Sequence, residues 1–321
     1  MEIPENELIK RLKKFEKSRK EVIRGIGDDG AVVEMAHGSY VFVQDTVVEH
    51  IHFEFAFMNA RQVGKKALYV NISDILSMGA LPLYFLVTIG IPQGMSFPEI
   101  RSLYSGMSQA AKEFNVTLLG GDTSATRSDF FIDVSMIGKL KSDRYLGREG
   151  ASEGDYIGVT GFLGESAYGL HLLMNGPTGR KKSRFIDRYV NPKPPYIVWK
   201  ELMDREIPSG MMDVSDGLII DLERMMRESG KGARLDFEHI PIPRELVRNG
   251  KESFALSGGE DYQFLFTFPP SKLPEVEGLR GRGVPLSVIG RVIRGKGVKL
   301  LNQGVMVPIT SKGYQHFGDN G

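Results

Sequence analysis

Over the first fifteen positions Leu8, Ile9, Leu12 and Phe15 share one face and lysines the other, which predicts an opening helix. Strand-like runs follow at Ala31–Met35 and Tyr40–Glu49. Asn59 then stands as a cap before a long helix whose Val63, Ala67, Val70, Asp74 and Met78 form one stripe. A strand over Leu83–Ile91, a helix over Phe97–Phe114 and strands at Val116–Leu119 and Phe130–Lys139 complete a first half. Gly147–Asp155, rich in glycine, serine and charge, reads as a join. The second half is predicted to hold a strand at Tyr156–Thr160 and helices at Glu165–Asn175, Pro195–Arg205 and Leu218–Ser229. Its other strands are expected at Met211–Val214, Ala233–Phe237, Tyr262–Phe268, Leu286–Arg291 and Val298–Leu301. This order predicts two α/β (α+β) domains, residues 1–148 and 149–321.

Charge and composition narrow the function classes. With 41 Lys plus Arg against 40 Asp plus Glu, the chain lacks the basic excess that neutralises nucleic-acid phosphates. No apolar run approaches the roughly 20 residues a bilayer requires, so no membrane partner is expected. The first residues show no secretory pattern, and the absence of cysteine fits a reducing compartment, so a cytoplasmic location is expected. Glycine is abundant, at 38 of 321 residues, and many glycines flank aspartates.

Two phosphate-loop matches fail on chemistry. Gly25-Ile-Gly27-Asp-Asp-Gly30 fits G-x-G-x-x-G, but two carboxylates would face the pyrophosphate, and Ala31–Met35 reads as strand where a helix is needed. Gly290–Lys296 fits most of a P-loop, yet Gly297 stands where the Mg²⁺-binding hydroxyl belongs.

Asp28, Asp29, Asp45, Asp74, Asp122, Asp213 and Asp216, with Glu260 and Asp261, stand among small residues along the chain. An aspartate beside glycine is ordinary turn chemistry. Asp74 is different, because it lies on the apolar stripe of its helix, with Asn71 one turn before it. A carboxylate on a packed face has to be neutralised, hydrogen-bonded or bound to metal. Mg²⁺ takes carboxylate, water and phosphate oxygens, so several aspartates from different elements suit a nucleotide–metal site built without a P-loop. His50 and His52 alternate as along a strand and would share a face, but without a soft third ligand they make a poor metal pair; His52 could instead hydrogen-bond a ligand at the strand end, beside Asp45.

Taken in order, GIGDDGAVV, VQDTVVEHIHF, GKKALYVNISDILSMGA, LLGGDTS, GREGASEGD, VTGFLGES, MDVSDGLIIDL, SGGEDY and KGYQHF resemble the motifs of thiamine-monophosphate kinases. That family belongs to the ATP-binding superfamily that includes aminoimidazole ribonucleotide synthetase. The motifs span residues 25–317, nearly the whole chain. The resemblance implies a two-domain synthetase-like fold in which N-terminal strands pair across a homodimer and the active site lies between the domains. It implies direct ATP-dependent phosphorylation of thiamine monophosphate to thiamine diphosphate, with several Mg²⁺ ions and a monovalent cation such as K⁺. Asp29, Asp45, Asp74, Asp122, Asp213 and Asp216 resemble the family's metal ligands. Gly121, Asp122, Arg148, Ser215 and Tyr104 match ATP-contacting positions, and His52, Glu260 and Tyr314 match substrate-contacting ones. No nucleophile or general base is implied, because the acceptor phosphate oxygen is already ionised near neutral pH and positioning carries the reaction.

Two departures stand out. Hydroxyl residues are usual just before the Asp45 position, and here Val43 and Gln44 replace them, leaving a Gln44 amide oxygen or the backbone as the expected ligand. His50 stands where a glycine is common. Val43 and Gln44 keep open a non-catalytic nucleotide or thiamine-phosphate binder, and the other alternative is another ATP-dependent enzyme of the superfamily, such as a purine-pathway synthetase.

Overall fold

A computed structural model describes residues 5–13, 19–175, 183–310 and 313–314. The chain divides into two compact units. One holds residues 17–145 and 190–194, the other the described parts of 1–16, 146–189 and 195–321.

In the first of these units, β1 (Val22–Arg24), β2 (Ala31–Met35), β3 (Gly38–Val48), β4 (Ala80–Ile91), β5 (Thr117–Ala125) and β6 (Phe131–Leu140) form one sheet in the order β1-β2-β3-β6-β4-β5. Alternation assigns its faces. Val41, Val43 and Val47 on β3 and Ile132, Val134 and Met136 on β6 are all buried, as period-2 side chains on one covered face must be. A Cβ built on Gly138 of that same face would meet Ile75, so this is the face against which α2 (Ala60–Ser77) packs.

The sequence starts and stops the two helices of this unit. Asn59 accepts from the Gln62 amide while Gln62 returns a bond to Asn59, a reciprocal cap that opens α2. At the start of α3 (Phe97–Phe114) the Glu99 carboxylate accepts from both the backbone N–H and the hydroxyl of Ser96, and the helix ends on Asn115 in the left-handed region, φ 55°. The two helices meet backbone to backbone. A Cβ on Gly64 would lie 2.2 Å from the Leu103 carbonyl oxygen, and one on Gly106 would lie 2.0 Å from that of Arg61.

The other unit carries α1 (Glu5–Leu12); Phe15, placed on that helix by its spacing, lies outside the described residues. Its elements then run β7 (Tyr156–Thr160), α4 (Glu165–Asn175), α5 (Arg184–Val190), α6 (Tyr196–Asp204), β8 (Gly210–Asp213), α7 (Leu218–Glu228) and β9 (Gly232–Asp236). Next come α8 (Arg244–Arg248), α9 (Ser253–Ser257), β10 (Phe264–Phe268), α10 (Leu273–Gly281), β11 (Leu286–Ile293), β12 (Gly297–Asn302) and β13 (Val305–Val307). The strands form a sheet in the order β13-β12-β9-β11-β7-β10-β8. Its core joins Ile157, Val159, Leu265 and Ile289 from the sheet to Leu218, Leu222, Met225 and Met226 of α7. Of the rejected phosphate loops, residues 25–30 form a loop leading into β2, whereas residues 290–293 are the end of β11 and only 294–296 form the bend into β12. Among the described residues no helix is long and apolar enough to cross a membrane.

Three boundaries differ from the sequence reading in ways that matter. β5 runs through Gly120, Gly121 and Asp122, so the GGDTS segment is strand rather than turn. β3 ends at Val48, which places His50 and His52 in a turn and not along a shared strand face. β10 begins at Phe264, because Tyr262 has φ 47°, outside any strand conformation.

Candidate functional site

In the unit with the first sheet, the GIGDDG turn separates its two aspartates. Asp28 turns back to pair with Arg24 at 3.0 Å, and its side chain is fully buried. Asp29 faces α2, where Ser77 Oγ donates to its Oδ2 at 2.7 Å. A carboxylate oxygen of Asp29 and one of Asp74 lie within 4.8 Å of each other. The α2 stripe is therefore real, with Val63, Ala67, Val70 and Met78 buried and Asp74 half-buried among them. Asn71, one turn earlier, donates to the Ala67 carbonyl and accepts from the Asp45 backbone N–H at 3.1 Å. Asn71 thus ties β3 to α2 at Asp45, which alternation puts on the covered face. Two half-buried carboxylates so close, with only hard oxygen atoms offered, fit a divalent cation such as Mg²⁺.

The structure does not bring every candidate to this face. Gln44 and Thr46 point to the opposite side of the sheet, where both donate to Asp133, at 2.9 and 2.5 Å. Gln44 therefore does not present its amide oxygen beside Asp45, and period-2 alternation is the reason. Val43, on the covered face, packs over Gly30, where a Cβ would lie 2.8 Å from its methyl group. Asp122 opposes Thr88, Thr88 opposes Asp133 and Asp133 opposes Thr46, so these four make one row on the uncovered face. Gly121 next to it must be glycine, since a Cβ would fall 1.7 Å from the Val87 carbonyl oxygen. Tyr104 of α3 lines an open groove of about 800 Å³ with Arg61, Arg101 and Lys112. His52 Nδ1 accepts the Val48 N–H at 3.0 Å, which leaves Nε2 as the proton-bearing nitrogen of the neutral ring.

In the other unit, candidates gather around the loop between β8 and α7. Asp213 ends β8 and is buried. The Glu260 N–H donates to the Ser215 carbonyl at 2.7 Å, the Tyr262 N–H to the Val214 carbonyl at 2.9 Å, and the Tyr314 N–H to the Asp216 carbonyl at 3.0 Å. Glu260 and Tyr262 both hold positive φ, 65° and 47°, a conformation costly for such side chains and kept only where surroundings impose it. Between them Asp261 is buried and accepts from the amides of Gly164 and Ser166 at the start of α4. Burial pushes its carboxyl up to about 7, against the pull of those bonds and of Arg188. Arg148, whose carbonyl accepts from Ser229, opens a short 3-10 turn.

Sequence reasoning passed over Asp221 and Arg224. Asp221 is fully buried; burial and the Asp216 charge push it above the ordinary carboxylate range while Arg224 pulls it back. Arg224 bonds to both, at 2.5 Å to Asp216 and 2.9 Å to Asp221. The signal was present, since Asp221 interrupts the apolar run Leu218-Ile-Ile-Asp-Leu222 as Asp74 interrupts its own stripe.

Comparison with known proteins shows the family. Residues 27–140 match the family described as AIR synthase related protein, N-terminal domain, and residues 152–301 its C-terminal domain. Thiamine-monophosphate kinase of Bacillus subtilis is 33% identical over 305 residues, covering 91% of this chain and 93% of that protein. Its counterpart from Salmonella typhimurium is 33% identical over 310 residues, 94% of each chain. A solved structure described as AaThiL complexed with AMPPCP and TMP superposes with TM-score 0.84 at 30% identity, covering 98% of this chain and 97% of that one. A HypE–HypF complex structure, at 19% identity and TM-score 0.77 over 95% of this chain and 99% of that one, shares the fold alone.

Proposed function

The chain belongs to the thiamine-monophosphate kinase family, and from that premise we propose that it transfers the γ-phosphoryl group of ATP to the phosphate of thiamine monophosphate. The O–P bond to ADP breaks as a phosphate oxygen of the acceptor bonds the γ-phosphorus, giving thiamine diphosphate and ADP. The observation that carries this reading is the close pair Asp29 and Asp74 on a chain-long family match.

Bound Mg²⁺ supplies neutralisation of phosphate charge, which is the main catalytic need of such a transfer. Asp29, Asp45 and Asp74 are assigned as metal ligands on the covered face of the first unit, and Asp213 and Asp216 are assigned as metal ligands of the second. Asp122, beside Gly121 on β5, is assigned to metal carried by the nucleotide. Arg148, Ser215 and Tyr104 are assigned to ATP, where the rigid guanidinium fork can grip phosphate by two bonds. His52, Glu260 and Tyr314 are assigned to thiamine monophosphate, Glu260 facing its thiazolium charge and Tyr314 its ring. A monovalent cation such as K⁺ completes the set.

A homodimer is part of the proposal. β5 is an edge strand exposed at every position, beside exposed Tyr84 and Leu86 on β4. A long exposed edge strand is a template for a second strand, and a second copy of this chain is the proposed occupant.

The test is product formation from purified protein with ATP, Mg²⁺ and thiamine monophosphate, resolved by chromatography. Thiamine diphosphate and ADP in equal amounts, with none after EDTA, is the expected outcome. Tight binding of both substrates without product would refute it.

A further inference from the structure

The loop between β8 and α7 contains a filled anion nest. The backbone N–H groups of Ser215, Asp216 and Gly217 all donate to one atom, Asp221 Oδ2, at 3.1, 3.0 and 3.0 Å. Successive amides converging at the start of a helix form a concavity suited to an anionic oxygen, and in phosphate-binding loops that oxygen belongs to the ligand. Here it belongs to the chain. Asp221 Oδ1 in turn accepts from Arg224, which also holds Asp216. Backbone closes in from two other sides. A Cβ on Gly259 would lie 2.6 Å from the Ser215 carbonyl oxygen, and one on Gly313 would lie 2.6 Å from that of Asp216.

We propose that Asp221 is a positioning residue for nucleotide recognition. By occupying the nest it commits the loop's amides, so that the loop meets the nucleotide–metal complex with the side chains of Ser215 and Asp216 instead. Arg224 is the fixed counter-ion of the pair, one guanidinium nitrogen, Nη1, donating to both the Asp216 and the Asp221 carboxylates. The proposal rests on the kinase reading for the identity of the ligand. A plain helix cap would account for the three amide bonds but would have no consequence for nucleotide affinity in the folded protein.

The experiment compares the full chain with Asp221→Ala and Asp221→Asn, well below their melting temperatures. Binding of the non-hydrolysable Mg²⁺–AMPPCP complex is measured by calorimetry, and amide hydrogen exchange is followed at Ser215–Gly217. Asn keeps the shape, but it must turn its NH₂ either toward the nest or toward Arg224, so it serves as the second variant should Ala fail to fold. The expected result is a loss of Mg²⁺–AMPPCP affinity of at least about tenfold, roughly the effect of one charge-assisted bond, with faster exchange confined to the three amides. A lowered melting temperature with unchanged affinity would reduce Asp221 to a cap and overturn the proposal, as would wild-type protection of the three amides. Wild-type protein that binds Mg²⁺–AMPPCP without forming thiamine diphosphate would refute the kinase reading only, since neither readout here depends on turnover.

Discussion

Replacing Asp74 with Asn preserves side-chain shape and removes one of two carboxylates whose oxygens stand within 4.8 Å. Two unit charges at that separation repel by about 0.9 kcal/mol in bulk water and about 3.5 kcal/mol at an effective dielectric of 20. Both side chains are half-buried and keep contact with solvent, so a relief of about 1–2 kcal/mol is expected once metal is stripped by EDTA. For a chain of this size that raises the melting temperature by several degrees, at roughly 2–4 °C per kcal/mol. Excess Mg²⁺ should reverse the order. A ligand at about 100 times its Kd stabilises the native state by about 2.7 kcal/mol, and Asp74→Asn loses most of that gain because one carboxylate of the close pair is gone. The assay is thermal unfolding of both proteins in EDTA and in Mg²⁺, with turnover measured on the same samples. Asp74→Asn should melt above wild type without metal, below it with metal, and lose at least about a hundredfold in activity, some 2.7 kcal/mol of barrier. A variant less stable in EDTA and equally stabilised by Mg²⁺ would refute the assignment of this pair to a cation.

Gly64→Ala should destabilise by about 1–3 kcal/mol, as forced overpacking does, because its Cβ would meet the Leu103 backbone of α3; a lowered urea midpoint checks this. Asp261 is pushed up to about 7 by burial. Its contribution to stability is therefore fully present below the unfolded carboxyl value and lost as pH rises through about 7. The stability advantage of wild type over Asp261→Asn should accordingly shrink between about pH 5 and pH 8, and urea midpoints showing it widen would contradict the burial argument. Leu86→Lys on the exposed sheet surface should give a monomer by light scattering at micromolar concentration where wild type is a dimer. A monomeric wild type would remove the edge-pairing proposal.

How much of this could be read from the chain depends on the range of the physics involved. Local rules were legible: Asn59 caps α2, α3 runs over the expected Phe97–Phe114, and strands after both glycine loops exclude phosphate loops. Asp74 was singled out because an acid on an apolar stripe needs a partner, and α2 does place it beside Asp29. The family motifs were equally legible, being short and contiguous. What spacing alone left open was which face of a sheet each strand residue would take. Gln44 and Asp45 are adjacent in sequence yet lie on opposite sides of β3, and Asp122 lies inside a strand that its glycines argued against. Side-chain direction in a strand depends on register with neighbouring strands, β6 for Gln44 and Asp45 and β4 for Asp122, and only the assembled sheet decides it. The nest at Ser215–Gly217 is a similar case. Its amides are present in any chain with that sequence, but whether they wait for a ligand or are already held by Asp221 is settled by how α7 packs, because a buried carboxylate bonds to whatever donors the fold brings within reach.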